Sequence, residues 1–283
     1  MQSVNDAGLR DRLALSVLDL GLEPAQRDAL APLVDAIAPA EWDFDFPGRD
    51  QFPDYFKAMT ARPHLPRYFP GHDIYMWLDA DAWVQDAGAI DIYLQAADRG
   101  LLAVTPEFDR SYSAFYKRPR PYRRTQNFRA YRWNYGWGVA DRLARNPILN
   151  SGVFALSGAA PHWQMWQDAL KRALCRWAPF RSRQSLYAHV SEQTAMNYMV
   201  YADGAPVTML PATCNWFCGK GLPMWDAAAG LLVEPNAPHQ PLGIVHLAGD
   251  GVQDRVFDLK TTEGRAISSR LTYDAVRDLD RAS

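Results

Sequence analysis

The feature that most constrains the fold of this chain is a run of five apolar residues, IYMWL at 74–78. It follows the turn residues Pro70 and Gly71 and stops abruptly at Asp79. A run so short predicts a strand rather than a helix, and one without polar alternation predicts a strand buried on both faces. Similar runs recur as LALSVL at 13–18, LLAV at 101–104, GVFAL at 152–156 and GIVHL at 243–247. Apolar residues at helical spacing lie between several of them, notably at 162–177 and 192–201. In EPAQRDALAPLVDAI at 23–37, Leu30, Leu33, Val34 and Ile37 recur at helical intervals behind Pro24, whose fixed φ suits a first helical turn. Strands alternating with helices predict an α/β fold: a mainly parallel sheet flanked by helices. Such sheets bind ligands beyond the carboxyl ends of their strands.

A length of 283 residues fits one large domain, expected here over 1–283, with a core at about 12–250 and a C-terminal extension at 251–283. Hydrophobic residues at 48% and charged residues at 22% are ordinary globular usage, which excludes a disordered or fibrous chain. No apolar stretch is long enough to span a bilayer, and the opening MQSVNDAGLRDR lacks the apolar segment of a signal peptide. A cytoplasmic, reducing setting is the expectation. Three cysteines are an odd count that does not suggest a disulfide framework. Cys214 and Cys218 have no second pair to complete a zinc site, so they read as packing residues.

Asp79 and Asp81 stand one residue apart just past the IYMWL strand. There the chain has left the strict alternation of a sheet, so both carboxylates can turn toward one hard cation. A Mg²⁺ or Mn²⁺ ion bridging carboxylates to a diphosphate neutralises the charge that grows as the diphosphate leaves. An Asp-x-Asp also occurs as a solvated turn, and the preceding strand is what favours the metal reading. His246 ends the late apolar run; as neutral imidazole it suits Mn²⁺, and as a core residue it needs only a hydrogen-bond partner.

Four signatures in fixed order, LDADAWVQD, LNSGVFAL at 149–156, SEQTAMN at 191–197 and IVHLAG at 244–249, resemble the retaining glycosyltransferases of the family-8 type, which have the GT-A fold. The resemblance extends from the 13–18 run to about Gly249. It implies a hexosyltransferase-like enzyme that takes a sugar from a nucleoside diphosphate donor, with a UDP-sugar foremost, and passes it to a hydroxyl acceptor with retention. The acceptor class is a glycan, a lipid-linked oligosaccharide or a protein. Asp79 and Asp81 would contact the metal and the ribose-diphosphate, with His246 as third ligand. Asn150 would lie near the transferred sugar. Gln193 would face the anomeric carbon, and Glu192 would orient sugar hydroxyls, while Glu192 also suits a helix start by its charge. The family's first strand and loop hold the nucleotide base, but here the chain starts only a dozen residues before LALSVL, so a truncated start or incomplete base recognition is expected. The family's phosphate-binding lysine is not in its usual place; Lys260 or Arg255 is the substitute.

One stretch stands apart. Between 110 and 140 there are eight Lys or Arg residues, nine aromatics and no acid, which reads as a basic aromatic insertion. It is either a surface segment whose arginines lie over aromatic rings or a binding surface for an anionic or glycan acceptor. Nucleic acid is not an expected partner, because the formal net charge is −2 and the rest of the chain is not basic. Two rival functions remain. DADAWV with Lys220, Asp250 and Asp254 partly matches haloacid-dehalogenase-type phosphatases, with Asp79 as nucleophile and Asp81 as acid/base. The other rival is a degenerate, non-catalytic GT-A domain that binds a glycan.

Overall fold

The structure is a computed structural model that describes residues 1–113, 121–176 and 189–282. Trp177, at the end of one expected helix, and part of the basic aromatic stretch lie outside the described residues. In chain order the strands are β1 (Ser16–Asp19), β2 (Ala36–Pro39), β3 (Ile74–Leu78), β4 (Ala82–Val84), β5 (Leu102–Pro106), β6 (Leu149–Ser157) and β7 (Val207–Met209). The later ones are β8 (Trp216–Phe217), β9 (Met224–Asp226), β10 (Leu231–Val233), β11 (Ile244–His246), β12 (Phe257–Lys260) and β13 (Ala266–Ser269).

The main sheet has the order β3-β6-β5-β7. Its central strand β6 reads LNSGVFALS and is buried along all but its last residue, which is why the sequence there lacks alternation. The α/β class holds, but the sheet is mixed rather than mainly parallel. β6 is antiparallel to both β3 and β5, and only β5–β7 is a parallel pairing. The reason lies in the connection from β5 to β6. The chain leaves β5 at one edge, forms the helices Gln126–Tyr135 and Trp137–Leu143, and re-enters at the same edge, so β6 must run back. The consequence is functional. The carboxyl ends of β3 and β5 and the amino end of β6 meet at one edge.

Helices cover both faces. Ala87–Asp98 packs Ile90, Tyr93 and Ala97 against Ala103, Val153 and Ala155 on one side. On the other, His162–Cys175 and Ser191–Tyr201 pack Trp166, Leu170 and Met196 against Phe154 and Leu156. A second sheet, β4-β11-β8, continues from the site edge. Its core holds Trp83, Trp216 and Val245 together with Phe257, Leu259, Leu271 and Val276, so residues 251–282 share a core with that sheet.

The first apolar run departs from expectation. β1 begins at Ser16, only Asp19 in it is buried, and it pairs in parallel with β2 as a separate two-stranded sheet. The helix expected over 23–37 ends at Leu30 and tightens into a 3-10 turn over Ala31–Leu33. Pro32 lacks the N–H that a continuing helix needs and its ring clashes with the preceding turn. Val34 is therefore extended and Ile37 lies in β2. Cys214 and Cys218 are free and buried, and burial pushes the Cys214 thiol up to about 11, which agrees with packing roles. Among the described residues no helix is long and apolar enough to cross a membrane.

Candidate metal and ligand site

Strand register builds the acidic cluster. Leu78 pairs with Val153, and the next rung is the Asp79 N–H donating to the Gly152 carbonyl at 2.8 Å, so Asp79 stands opposite Gly152. In the second sheet His246 pairs with Ala82, which sets Asp81 beside the imidazole. One ligand atom from each of Asp79, Asp81 and His246 falls within 4.8 Å of the others. His246 Nε2 lies 3.2 Å from Asp81 Oδ1 and 3.9 Å from Asp79 Oδ2. Burial pushes the Asp81 carboxyl up, but a protonated His246 ring, by donating a hydrogen bond to it and by its charge, outweighs this and holds it below the usual carboxylate range.

The orientation of the imidazole is fixed by three links. The Gly152 N–H donates to Asn150 Oδ1 at 2.8 Å, which identifies that atom as the amide oxygen. Asn150 Oδ1 then accepts from Asn215 Nδ2 at 3.3 Å, which turns Asn215 Oδ1 toward His246 Nδ1 at 2.9 Å. An amide oxygen only accepts, so Nδ1 carries the proton and a neutral ring presents its Nε2 lone pair to two carboxylates. A shared cation, or a second proton on the ring, is what makes that arrangement favourable. A further observation fits a cation. A Cβ on Gly152 would lie 2.5 Å from Asp79 Oδ2 and 2.6 Å from His246 Cε1, so glycine is what leaves room between the donors. Two carboxylates and an imidazole are hard and borderline donors of the kind that hold Mg²⁺ or Mn²⁺.

Behind Asp79 lies a buried arginine. Arg62 donates to Asp79 Oδ1, to Glu192 Oε2 at 2.7 Å and to Ser151 Oγ at 3.2 Å. Trp77 Nε1 also donates to Asp79 Oδ1 at 2.7 Å, and the guanidinium lies 5.0 Å over the Trp77 ring. With Oδ1 doubly engaged, Asp79 turns Oδ2 toward His246. Glu192 opens the Ser191–Tyr201 helix, yet its side chain does not cap that helix. Burial pushes its carboxyl up to about 7 against the opposing pull of Arg62 and Ser151. Its second oxygen, Oε1, is buried without a hydrogen-bond partner.

Asn150 and Gln193 are held in a network with Glu107. Asn150 Nδ2 donates to Glu107 Oε1 at 3.0 Å and to Gln193 Oε1 at 3.1 Å. Gln193 Nε2 donates to Glu107 Oε1 at 3.1 Å, and Lys220 Nζ pairs with Glu107 Oε2 at 2.5 Å. The structure thus brings Asp79, Asp81, Asn150, Glu192, Gln193 and His246 to one edge. It leaves Lys260 exposed at the end of β12, bonded to none of them, and among the described residues Lys220 is the lysine found at the site. Sequence reasoning missed Arg62, Trp77, Glu107, Ser151, Gly152 and Asn215. Glu107 had a signal, because it follows the LLAVTP run as Asp79 follows IYMWL. Arg62 had none, since it reaches the site from a 3-10 turn over Arg62–His64.

No family model matches the sequence, and no curated protein matches it. Among solved structures it is similar to the galactosyltransferase LgtC in complex with donor and acceptor sugar analogs, at 16% identity, over 90% of this chain and 83% of that one, with a TM-score of 0.47. An active-site mutant of LgtC is similar at 14% identity, over 88% and 81% of the two chains, with a TM-score of 0.48. A mannose-1-phosphate geranyltransferase from Thermus thermophilus is similar at 17% identity over 74% of this chain and 57% of that one, with a TM-score of 0.27. At such values the chemistry of the site must be argued from its own side chains.

Proposed function

We propose that this protein is a metal-dependent glycosyltransferase of GT-A type, moving a sugar from a nucleoside diphosphate donor to a hydroxyl acceptor. The observation that carries the reading is the Asp79, Asp81 and His246 cluster, with Gly152 leaving the space between its ligand atoms. The four sequence signatures support it, because Asn150, Glu192 and Gln193 from the second and third converge on the cluster formed by the first and fourth.

Asp79 Oδ2, Asp81 and His246 Nε2 would hold Mn²⁺ or Mg²⁺, which when bound supplies positive charge to a departing diphosphate. The chain's own groups do the rest. Arg62 and Trp77 hold the far oxygen of Asp79 so that the near one stays aimed at the cluster. Asn215 keeps the proton of His246 on Nδ1, away from the ligand atom. Glu192 Oε1, buried and unpartnered, accepts a hydroxyl of the bound sugar, which relieves the cost of leaving that oxygen unpaired. Gln193, held by Asn150, Ser151 and Glu107, lines the site beside that sugar. Retention, and UDP as the nucleotide, follow from the sequence resemblance.

The phosphatase alternative fits less well. A nucleophilic Asp79 would need a free oxygen and a lysine balancing its charge, but Lys220 is committed to Glu107. Asp250 and Asp254, which would hold its metal, are exposed.

Calorimetric titration of UDP-, GDP- and ADP-sugars, each with Mn²⁺ and with EDTA, tests the proposal. Metal-dependent binding of one donor, lost in Asp81→Asn, is the expected outcome. Binding of no donor under any condition refutes it and favours the non-catalytic domain.

A further inference from the structure

The described part of the basic aromatic stretch that follows residue 120 makes no hydrogen bond or ion pair with the site residues named above, and it forms a defined surface. Between 121 and 145 the chain has six arginines against one acid, Asp141, a local excess of five positive charges in a protein of net charge −2. Side-chain contacts tie these residues into one patch. The Arg132 guanidinium lies 4.2 Å and that of Arg123 5.8 Å from the centre of the Trp137 ring. Arg123 pairs with Asp141 at 3.3 Å, and Arg145 lies 4.7 Å over Tyr122. Trp137 sits where the helix Gln126–Tyr135 turns through Gly136 into Trp137–Leu143, and it is 52% exposed. The hairpin therefore presents an indole at its tip within a field of guanidinium groups.

We propose that this hairpin docks the protein onto the surface of an anionic lipid bilayer. Three observations favour a bilayer over a polymeric anion. Arg132 lies over one face of the Trp137 ring and Phe128 meets it edge-on, so the face that would stack on a nucleobase or a sugar is taken by the protein, while the rest of the indole is open to solvent. An exposed indole among arginines matches the amphipathic chemistry of the headgroup layer, where the ring meets the acyl boundary and the cations meet lipid phosphates. The patch also lies close to the site edge. Arg145 is five residues from Asn150, about 17 Å of extended chain, and Glu107 N–H bonds the Ile148 carbonyl next to Phe108, which is 60% exposed. Docking there would hold the Asp79 and Glu107 edge near a lipid surface. The inference stands on charge and exposure, and does not require the transferase reading.

Sedimentation of the full chain with vesicles tests it. Vesicles of phosphatidylcholine alone are compared with vesicles holding 30 mol% phosphatidylglycerol, at 50 mM and at 500 mM NaCl. Binding to the anionic vesicles at low salt, release at high salt and no binding to the neutral vesicles are expected. Arg124→Glu with Arg142→Glu changes the charge of the patch by four units and should lower the partition coefficient roughly a thousandfold, at about 1 kcal/mol per charge near an anionic surface. Arg99→Glu with Arg265→Glu, exposed on other elements, should leave it unchanged. Equal binding to neutral vesicles, equal loss in both double variants, or retention on immobilised heparin without any partition into vesicles overturns the proposal. Circular dichroism of each variant identifies an unfolded one, and for that case Arg124→Gln with Arg142→Gln should still reduce binding about thirtyfold.

Discussion

Replacing Gly152 by alanine tests the centre of the site with one methyl group. Gly152 lies inside β6 and is not among the glycines of positive φ, so alanine meets no backbone strain there. Its Cβ would instead lie 2.5 Å from Asp79 Oδ2, 2.6 Å from His246 Cε1 and 2.9 Å from Asn150 Oδ1. A carbon and an oxygen approach to roughly 3.3 Å, so the Asp79 carboxylate must retreat by about 0.8 Å. Metal–ligand distances tolerate only about 0.2 Å. The retreat is also resisted, because Arg62 and Trp77 hold the other oxygen from behind. Manganese affinity, measured by calorimetry, should fall at least about 100-fold, more than the 10- to 100-fold typical of losing an outer-shell partner. Overpacking should cost about 1–3 kcal/mol of stability, visible in urea unfolding with EDTA. An alanine variant that binds Mn²⁺ as wild type does would refute the assignment of Asp79 Oδ2 as a ligand atom, whatever happens to its stability.

Four other outcomes are expected. Asp81→Asn should abolish metal-dependent turnover while the melting temperature with EDTA stays within a few degrees of wild type; full turnover would remove Asp81 from the ligand set. Asn215→Ala frees the His246 tautomer and should weaken manganese binding roughly 10- to 100-fold, an effect absent if the amide only packs. Arg62→Met leaves Asp79 and Glu192 uncompensated and should destabilise by about 3–5 kcal/mol, with much of the loss recovered on adding Glu192→Gln; no recovery would mean that the two side chains are not energetically coupled. The Glu192 carboxyl, raised to about 7, binds its proton more tightly in the folded chain than in the unfolded one. Its contribution to stability is therefore full below its unfolded pKa of about 4.3, and is lost as pH rises to about 7. The stability of wild type relative to Glu192→Gln should fall across that window and level off above it, and a difference independent of pH would refute the assigned shift.

The parts of this molecule legible in the sequence are those whose burial follows from local pattern. β3 was bounded correctly, because IYMWL starts after Gly71 and ends at a charge. The core of β6 and the helix at His162–Cys175 were also evident. Over 23–37 the helical spacing of apolar residues continues through Pro32, whose missing donor ends the helix all the same. Strand direction was not legible at all: β5 and β6 look equally apolar whether parallel or antiparallel, and the turn-back is set by 42 intervening residues that return to one edge. At the site, the acidic pair and His246 had strand ends to mark them. Arg62 and Asn215 come from irregular segments, and their importance lies in what they touch.

Those two residues explain why the cluster and the amide network act as one unit. Asp79 and Glu192 would each lose from being buried as anions, and Arg62 offsets both with a single guanidinium. A cation drawn to Asp79 Oδ2 weakens the hold of Asp79 on Arg62, because the carboxylate's charge is then shared. Arg62 is left more available to Glu192, which shifts that carboxyl toward its ionised form and makes its unpartnered Oε1 a better acceptor. On the proposed function, metal at one end of the site would thus strengthen hydroxyl binding at the other. By reciprocity, a sugar on Glu192 would strengthen the metal by the same factor. Asn150 adds a second route, since one side chain accepts from Asn215 behind His246 and donates to Gln193. Under that proposal, metal and donor are therefore expected to bind together, each weakly without the other.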